Sequence, residues 1–176
     1  VVIARDDPES HLDMAVPILE TGTPVFIDKP LTTSLTELAE FEPYLRSGQL
    51  MSCSGMRYAR ELDELRVELG SETVKLMNGV IIKDWERYGL HILDAVLHMV
   101  DTVPVAVEAT PADHDSVAVE FDDGSILHVD ALHESSFVLD LAVYTDQRAE
   151  TVQLRDNFTA FRRTLYHFIQ QVRTGT

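Results

Sequence analysis

The sequence lacks the features that place a chain outside the ordinary globular proteins. No apolar run approaches the roughly 18 residues that a membrane-spanning helix needs, so a membrane span is excluded. No basic, apolar leader that would indicate a secretory signal peptide is present. Cys53 is the single cysteine, which excludes an internal disulfide and is typical of a reducing, cytoplasmic compartment. Its apolar neighbourhood predicts a buried, unreactive thiol.

Basic residues are scarce. Against 30 Asp and Glu the 176 residues offer 14 Lys and Arg, which gives a net charge of −16. Such a surface repels phosphate backbones and anionic membranes, which argues against nucleic acid or a membrane as a general partner. Apolar residues make up 45% and charged residues 25%, values typical of a folded, soluble protein. A chain of this length buries about two-thirds of its unfolded surface, enough for a real core.

The two ends of the sequence predict that it is part of a longer protein. It begins at Val1, without a methionine, directly in an apolar run. It stops at Thr174-Gly175-Thr176, just past a helical pattern.

The first 54 residues alternate between strand and helix signals. Short apolar runs at residues 1–4, 24–27 and 50–54 predict buried strands, and apolar residues at helical spacing lie between them. Pro17 is expected to kink or interrupt the first helix, and Ser34 with Glu37 predicts a capping box before the second. Strand–helix repeats with short links are typical of a parallel, doubly wound sheet. No Gly-x-Gly-x-x-Gly occurs, so the phosphate-binding turn of a dinucleotide fold is missing from these residues.

The remaining residues predict a different architecture. Strand-like runs at 73–83, 103–109, 116–121, 126–132, 137–144 and 151–154 follow one another, with Asp123-Gly124 as a hairpin turn. Helices are predicted at 62–69, 90–100 and 158–172. The expected fold class is therefore α/β: a partial Rossmann-like parallel sheet, then an α+β domain with a large, mostly antiparallel open sheet. We place the domains at residues 1–56 and 57–176.

Asp28-Lys29-Pro30 is the first candidate site, at the carboxyl end of a predicted parallel strand. Ligands of open α/β sheets bind outside those strand ends. A lysine there can bind a substrate hydroxyl or a ribose, or move a proton when partly buried. A solvated surface turn is the alternative.

The second candidate site is the entry to the most apolar helix, where Trp85, Arg87, Tyr88 and His91 cluster. His91 with Asp94 one turn on can form a general acid/base and its orienting partner. With His98, the same side chains could instead ligate a metal. A core helix whose polar residues face a loop is the third possibility.

The third candidate lies at the join of the two domains, where clefts often form. Arg57 or Arg60 could bind a carboxylate or phosphate there, although at least one of them is expected to be a solvated cation.

Five short motifs are spread along nearly the whole chain. They are Pro8-x-x-His11, Gly22-x-x-Val25-Phe26-x-Asp28-Lys29-Pro30-Leu31, Ser54-Gly55-Met56-Arg57-Tyr58, Tyr88-Gly89-Leu90-His91-Ile92-Leu93-Asp94, and a late helix from Phe161 to Gly175. In this order the sequence resembles the glucose–fructose oxidoreductase/inositol dehydrogenase (Gfo/Idh/MocA) family. That family carries Glu-Lys-Pro, with Asp as a variant of Glu, in the second motif.

The resemblance implies an NAD(P)-dependent oxidoreductase that acts on a sugar, cyclitol or related polyol, with NAD or NADP as cofactor. Lys29 would contact the substrate and the nicotinamide ribose, with a cis Lys29–Pro30 bond, and His91 would be the acid/base on the reacting hydroxyl. The expected substrate-binding residues are Arg57, Trp85, Arg87, Tyr88 and Asp94. The expected cofactor-binding residues are Arg5, Asp6, His11, Asp28, Lys29 and Pro30. No metal site is expected, and the open sheet implies a homo-oligomer.

One departure from the family concerns the acid/base site. Many members carry an Asp four residues before the catalytic His, and here that residue is Arg87. An arginine cannot accept a proton, although it can hold an anionic substrate. Two alternatives therefore stay open: a non-catalytic relative that binds a ligand as a sensor or regulator, and a metal-dependent lyase or isomerase that uses His91, Asp94 and His98.

Overall fold

A computed structural model describes residues 1–174, which divide into two units. Unit 1 contains Val1–Ser54 together with the described residues from Arg162 onward, and unit 2 is Gly55–Phe161. Gly175, the last residue of the late-helix motif, lies outside the described residues, as does Thr176. The contacts thus group residues 162–174 with unit 1, whereas the predicted domain 57–176 included them. The predicted roles of the two domains remain predictions.

Unit 1 is built on a parallel sheet of three strands in the order β1-β2-β3, as the alternation of signals predicted. Its strands and helices are β1 (Val2–Ile3), α1 (His11–Leu19), β2 (Val25–Asp28), α2 (Leu35–Arg46) and β3 (Leu50–Cys53). The central strand β2 is buried on both faces of the sheet, because Val25 and Ile27 on one face are 0% exposed and Phe26 on the other is 6% exposed. Cys53 is buried, as predicted.

The two helices of unit 1 begin and end for local reasons. The Ser34 hydroxyl accepts a hydrogen bond from the Glu37 backbone N–H over 3.4 Å at the start of α2, which confirms the first half of the predicted capping box. The second half is not formed, because the Ser34 N–H donates to Oγ1 of Thr32 and the Glu37 carboxylate accepts from the Thr32 hydroxyl. Pro17 lies inside α1 and does not interrupt this helix, so that part of the prediction was wrong; the predicted kink stays a prediction. The helix ends two residues later, and burial of Ala15 and Leu19 in the core outweighs the hydrogen bond that Pro17 cannot make.

Unit 2 contains a six-stranded sheet in the order β5-β6-β7-β4-β8-β9. Its strands are β4 (Val74–Ile81), β5 (Pro104–Thr110), β6 (Asp115–Phe121), β7 (Ile126–Ala131), β8 (Leu139–Thr145) and β9 (Ala149–Gln153), and its helices are α3 (Arg60–Leu69) and α4 (Leu90–Met99). A last helix, α5 (Asn157–Thr174), begins in unit 2 and ends in unit 1. Every strand pair is antiparallel except β4 with β7, which confirms a mostly antiparallel sheet.

One face of this sheet forms the core of unit 2 together with α3 and α4. Alternate strand residues such as Met77, Leu127 and Leu141 are fully buried and join Ile92 of α4 in one apolar cluster. Gly79 permits the close approach of that helix, because a Cβ there would lie 2.3 Å from Cγ2 of Ile92. Among residues 1–174, no helix is long and apolar enough to cross a membrane.

Candidate functional site

In unit 1 the candidate residues lie where β1 and β2 end. Asp28 is the last residue of β2, and the Lys29–Pro30 peptide bond that follows is cis, as the resemblance implied. Lys29 is half-buried. The position is the carboxyl end of a parallel strand, where open α/β sheets bind their ligands.

Asp28 has an unusual electrostatic environment. Burial raises the pKa of its carboxyl, and the positive charge and backbone N–H of Lys29 partly offset this effect. The negative charge of Asp6 raises the pKa of Asp28 further, while His11 lowers it. This carboxyl is therefore protonated more readily than an exposed aspartate, and it can hydrogen-bond a ligand hydroxyl in either state.

His11 ties together the loops that follow β1 and β2. It is 0% exposed, with Nδ1 3.0 Å from the carbonyl oxygen of Leu31 and Nε2 3.2 Å from the carbonyl oxygen of Arg5. Carbonyl oxygens only accept hydrogen bonds, so the ring nitrogen that carries the proton donates to the carbonyl oxygen beside it, and the tautomer decides which of the two this is. His11 therefore holds the loop that carries Lys29 beside the loop that carries Asp6. A direct contact between His11 and a cofactor stays a prediction.

The loop after β1 presents Arg5 and Asp6, the other predicted cofactor-binding residues. The Arg5 Nε donates to Oδ1 of Asp7 over 3.0 Å. Hydrogen bonds from Arg5 and then from Ser10 hold the pKa of Asp7 below its ordinary value. Arg5 and Asp6 are both exposed. The structure thus brings Arg5, Asp6, His11 and the Asp28–Pro30 segment together in one unit.

In unit 2 a cavity of about 110 Å³ lies beside His91. It is lined by Met56, Ile81, Ile82, Tyr88, His91, Phe137, Val138, Leu139, Asn157 and Phe161. Most of this wall is apolar, and the side chains of Tyr88, His91 and Asn157 supply its polar groups. An apolar cavity with a few convergent polar groups is the usual form of a small-molecule site.

A single π-helical turn, Trp85–Gly89, precedes α4 and positions the second group of predicted residues; we call it the π-turn. The carboxylate of Asp84 caps it by accepting a 2.9 Å hydrogen bond from the Arg87 backbone N–H. The Trp85 backbone N–H donates to Oδ2 of Asp115 over 2.9 Å. A Cβ at Gly89 would lie 2.3 Å from the Trp85 ring, so glycine allows the indole to lie against the backbone. Such turns are frequent at functional sites.

Arg87 forms an ion pair with Asp84, the residue that caps the π-turn, and its predicted contact with a substrate stays a prediction. Its guanidinium donates to Oδ2 of Asp84 over 2.8 Å, and its side chain is 53% exposed. The hydrogen bond from Arg87 is also the main reason that the pKa of Asp84 lies below its ordinary value. The charge of Arg87 is therefore largely neutralised by Asp84.

Tyr88 and His91 meet at the junction between the π-turn and α4. Their rings are 5.5 Å apart between centroids and are arranged edge to face. Both side chains line the cavity. Of the predicted catalytic residues, His91 thus lies at a cavity in unit 2, and Lys29 lies at a strand end in unit 1.

Two predicted substrate-binding residues bind each other. Arg57 forms a 3.0 Å ion pair with Asp94, and their side chains are 32% and 18% exposed. Burial first, and then the charges of Arg57 and Arg66, lower the pKa of His98, whose ring lies edge-on to Tyr58. In residues 1–174 no group of three or more His, Cys, Asp or Glu is placed to hold a metal ion. These contacts give no support to the metal-dependent alternative.

Several residues in and around this cavity could not be predicted as site residues from the sequence. Lys83 donates a hydrogen bond from Nζ to Oη of Tyr88, and its backbone φ of 63° is in the left-handed region. Its place between an apolar strand and the Trp85–His91 cluster was the available signal. Phe137, Asn157 and Phe161 carry no such signal, because tertiary folding brings them from distant parts of the chain.

Comparison with known proteins yields matches in structure only: no family model and no curated protein matches the sequence. A probable dehydrogenase from Thermotoga maritima matches with a TM-score of 0.84 and 13% identity, over 99% of this chain and 70% of that one. The myo-inositol 2-dehydrogenase of Lactobacillus plantarum gives 0.80 and 15%, over 99% and 71%. The D-galactose-1-dehydrogenase of Rhizobium etli gives 0.71 and 17%, over 99% and 70%.

These matches cover 99% of the chain and so include residues of both units. The TM-scores of 0.71–0.84 show a shared fold. At identities of 13–17% the matches show the fold alone. This chain therefore has the fold of the sugar and inositol dehydrogenases of the Gfo/Idh/MocA type, over about 70% of the length of those proteins.

Proposed function

We propose that this chain belongs to an NAD(P)-dependent oxidoreductase of the Gfo/Idh/MocA family. It would transfer a hydride between nicotinamide and a hydroxyl-bearing carbon of a sugar, cyclitol or related polyol. The observation that carries the proposal is the match over 99% of the chain to a myo-inositol 2-dehydrogenase and a D-galactose-1-dehydrogenase. The cavity beside His91 supports it.

The residues of unit 1 fit one end of the proposed cofactor. Asp28 and Lys29 offer a carboxyl and an ammonium at the end of β2, suited to ribose hydroxyls, and Arg5, Asp6 and Pro30 border the same strand ends. These 176 residues contain no Gly-x-Gly-x-x-Gly turn, so they supply no phosphate cradle of that kind. In this proposal they hold the nicotinamide ribose, and His11 keeps their loops in place. The bound nicotinamide would supply the hydride chemistry.

In this proposal His91 accepts the substrate's hydroxyl proton and Lys29 hydrogen-bonds the substrate oxygen. In the oxidation direction the neutral imidazole of His91 accepts the proton of the reacting hydroxyl, while the hydrogen on the same carbon leaves as a hydride. Lys29 donates hydrogen bonds to the substrate oxygen and so favours the charge that develops there. The half-buried position of Lys29 strengthens such a bond.

The remaining predicted residues shape the substrate end of the site. Trp85 and Tyr88 offer ring faces and a hydroxyl for a polyol. Arg57 and Asp94, bound to each other, hold the start of α4 and thereby His91. Arg87 precedes the cavity-lining Tyr88 and would attract an anionic group on a substrate. Its ion pair with Asp84 weakens that attraction.

The test uses the full-length protein with NAD⁺ or NADP⁺ and a panel that includes myo-inositol and D-galactose, followed by absorbance at 340 nm. Lys29→Ala should lower kcat/KM by about 10²–10⁴-fold, because it removes a hydrogen bond to the reacting oxygen. Lys75→Ala is the matched control, since Lys75 is an exposed lysine on β4. Equal activity of the two variants would contradict the role of Lys29. No oxidation of any panel member would contradict the proposed function.

The presence of Arg87 four residues before His91 favours a second candidate, a non-catalytic relative that binds a ligand as a sensor or regulator. The position that holds an Asp in many resembled enzymes is then occupied by a group that cannot accept a proton. This candidate predicts polyol or nucleotide binding by calorimetry together with no turnover in the full-length protein.

We also propose that the protein forms a homo-oligomer through the open face of the unit 2 sheet. On that face, β4 presents Leu76, Asn78 and Val80, whose exposure is intermediate, and β8 presents the exposed Tyr144. Sedimentation velocity of the full-length protein and a Tyr144→Asp variant tests this, because a buried charge at an interface should shift the protein towards the monomer.

A further inference from the structure

Lys83 hydrogen-bonds a tyrosine, Tyr88, which is unexpected in a chain rich in carboxylates. It lies two residues after β4 and just before the π-turn, and its Nζ donates to Oη of Tyr88 over 2.5 Å. Nζ also lies 4.3 Å from the centre of the Tyr88 ring. With 30 Asp and Glu available, binding to a phenol indicates that the local backbone directs Lys83 to Tyr88.

The backbone at Lys83 is held in a conformation that non-glycine residues rarely adopt. Lys83 has a φ of 63°, and His133 opposite it has a φ of 51°. The two residues exchange backbone hydrogen bonds of 2.9 Å in each direction. Nε2 of His133 is 3.7 Å from Asp115, whose other oxygen accepts from the Trp85 N–H. Residues 83–85 are thus fixed from the neighbouring strands, and strained backbone of this kind is concentrated at functional sites.

The chemistry of the two groups sets the direction of the hydrogen bond. An ammonium only donates, so the phenol oxygen of Tyr88 is the acceptor. The O–H of Tyr88 must then donate to an oxygen or ring other than Lys83. Tyr88 lines the cavity beside His91, with their rings 5.5 Å apart.

We infer that Lys83 is a positioning residue for the polyol site, an inference that rests on the function proposed above. It holds the phenol of Tyr88 so that the O–H donates to a hydroxyl or carbonyl oxygen of a ligand beside His91. The ligand class is an uncharged, polyhydroxylated ring, whose C–H edges pack against the apolar wall formed by Ile81, Phe137 and Phe161. Tyr88 binds one oxygen of that ring and thereby fixes which carbon faces His91.

Steady-state kinetics of the full-length protein test this inference. The substrate is myo-inositol or D-galactose, whichever the unmodified protein oxidises faster. Lys83→Met and Tyr88→Phe should each raise KM about tenfold and leave kcat within about threefold, because both remove binding that is equal in the ground and transition states. The double variant should match either single variant, since the two residues act as one unit. Lys83→Arg, which keeps the donors and the charge, should restore KM to within about threefold.

Lys75→Met is the control for loss of a lysine on the same strand region, and its KM should be unchanged. An unchanged KM in Lys83→Met, or effects that multiply in the double variant, would overturn the positioning role. If Lys83→Met does not fold, Tyr88→Phe and Lys83→Arg carry the comparison. An unmodified protein that oxidises neither polyol overturns the proposed function and this inference with it. An active protein whose Lys83 variants are unaffected overturns this inference alone.

Discussion

Replacement of Gly89 by alanine tests the packing that gives the π-turn its shape. Gly89 has φ −54° and ψ −31°, the right-handed helical region, where alanine is normally favoured over glycine by about 1 kcal/mol. The space around it contradicts that preference. A Cβ would lie 2.3 Å from Cε3 of Trp85 and 2.9 Å from Cδ2 and Cζ3, closer than real Cβ contacts come. The indole would have to move, and Trp85 is packed against the unit 2 core.

The magnitude follows from these two opposing effects. Forcing an extra methyl group into a packed site costs about 1–3 kcal/mol. The helical preference of alanine returns about 1 kcal/mol, so Gly89→Ala should lower the free energy of unfolding by about 0–2 kcal/mol. In a Trp85→Ala background the obstacle is gone, and the same change should stabilise the protein by up to about 1 kcal/mol. The sign of the effect should therefore reverse between the two backgrounds.

The assay is urea unfolding of the four proteins, followed by circular dichroism because one pair lacks Trp85. The coupling free energy between the two positions should be about 1–3 kcal/mol. If Gly89→Ala had the same effect with and without Trp85, the indole would not lie against Gly89, and the account of the π-turn would be wrong.

Two further predictions concern stability. Phe121→Ala should lower the free energy of unfolding by about 3–5 kcal/mol, because the ring is 1% exposed in the unit 2 core; Phe137→Ala, at a 63% exposed ring, is the control and should cost far less by the same urea assay. Asp84→Asn keeps a capping side chain but removes the charge beside Arg87. Since Arg87 lowers the folded-state pKa of Asp84, the stability difference between wild type and variant should be present at pH 7. It should be lost as the pH falls through the lowered folded-state pKa of Asp84, and a difference that did not shrink with falling pH would contradict the ion-pair account.

Much of the fold follows from local patterns. Apolar runs and alternation predict the strands of both units, and the signals at Ser34 and at Asp123-Gly124 mark a helix start and a hairpin. The insertion of β4 between β7 and β8 does not follow from them, because the parallel β4–β7 pair joins segments separated by two other strands. The continuation of α1 past Pro17 does not follow from the local sequence for a related reason. It is stabilised by burial of the neighbouring Ala15 and Leu19, which is a tertiary effect.

The candidate site shows the same division. Residue types near Lys29 and His91 are visible in the sequence, together with the motif order that predicts the cis Lys29–Pro30 bond. Their partners are not: sequence spacing does not reveal that Arg57 binds Asp94 or that His11 bridges two loops. The contact of Lys83 with Tyr88 could not be predicted, because it depends on a left-handed backbone conformation at Lys83. That conformation is held by hydrogen bonds to His133, fifty residues further along the chain.

The Arg87 substitution weakens the case for an enzyme less than the sequence suggests. An unpaired arginine beside His91 would disfavour the imidazolium that a general base must become. In the structure Asp84 binds the Arg87 guanidinium through several hydrogen bonds, so the pair presents little net charge. The proton-accepting role of His91 therefore depends on Asp84. An Asp84→Ala variant removes the carboxylate that offsets the charge of Arg87, so, with His91 as the base, the pH at which activity is half-maximal should fall. A pH profile that stayed in place would point to another base.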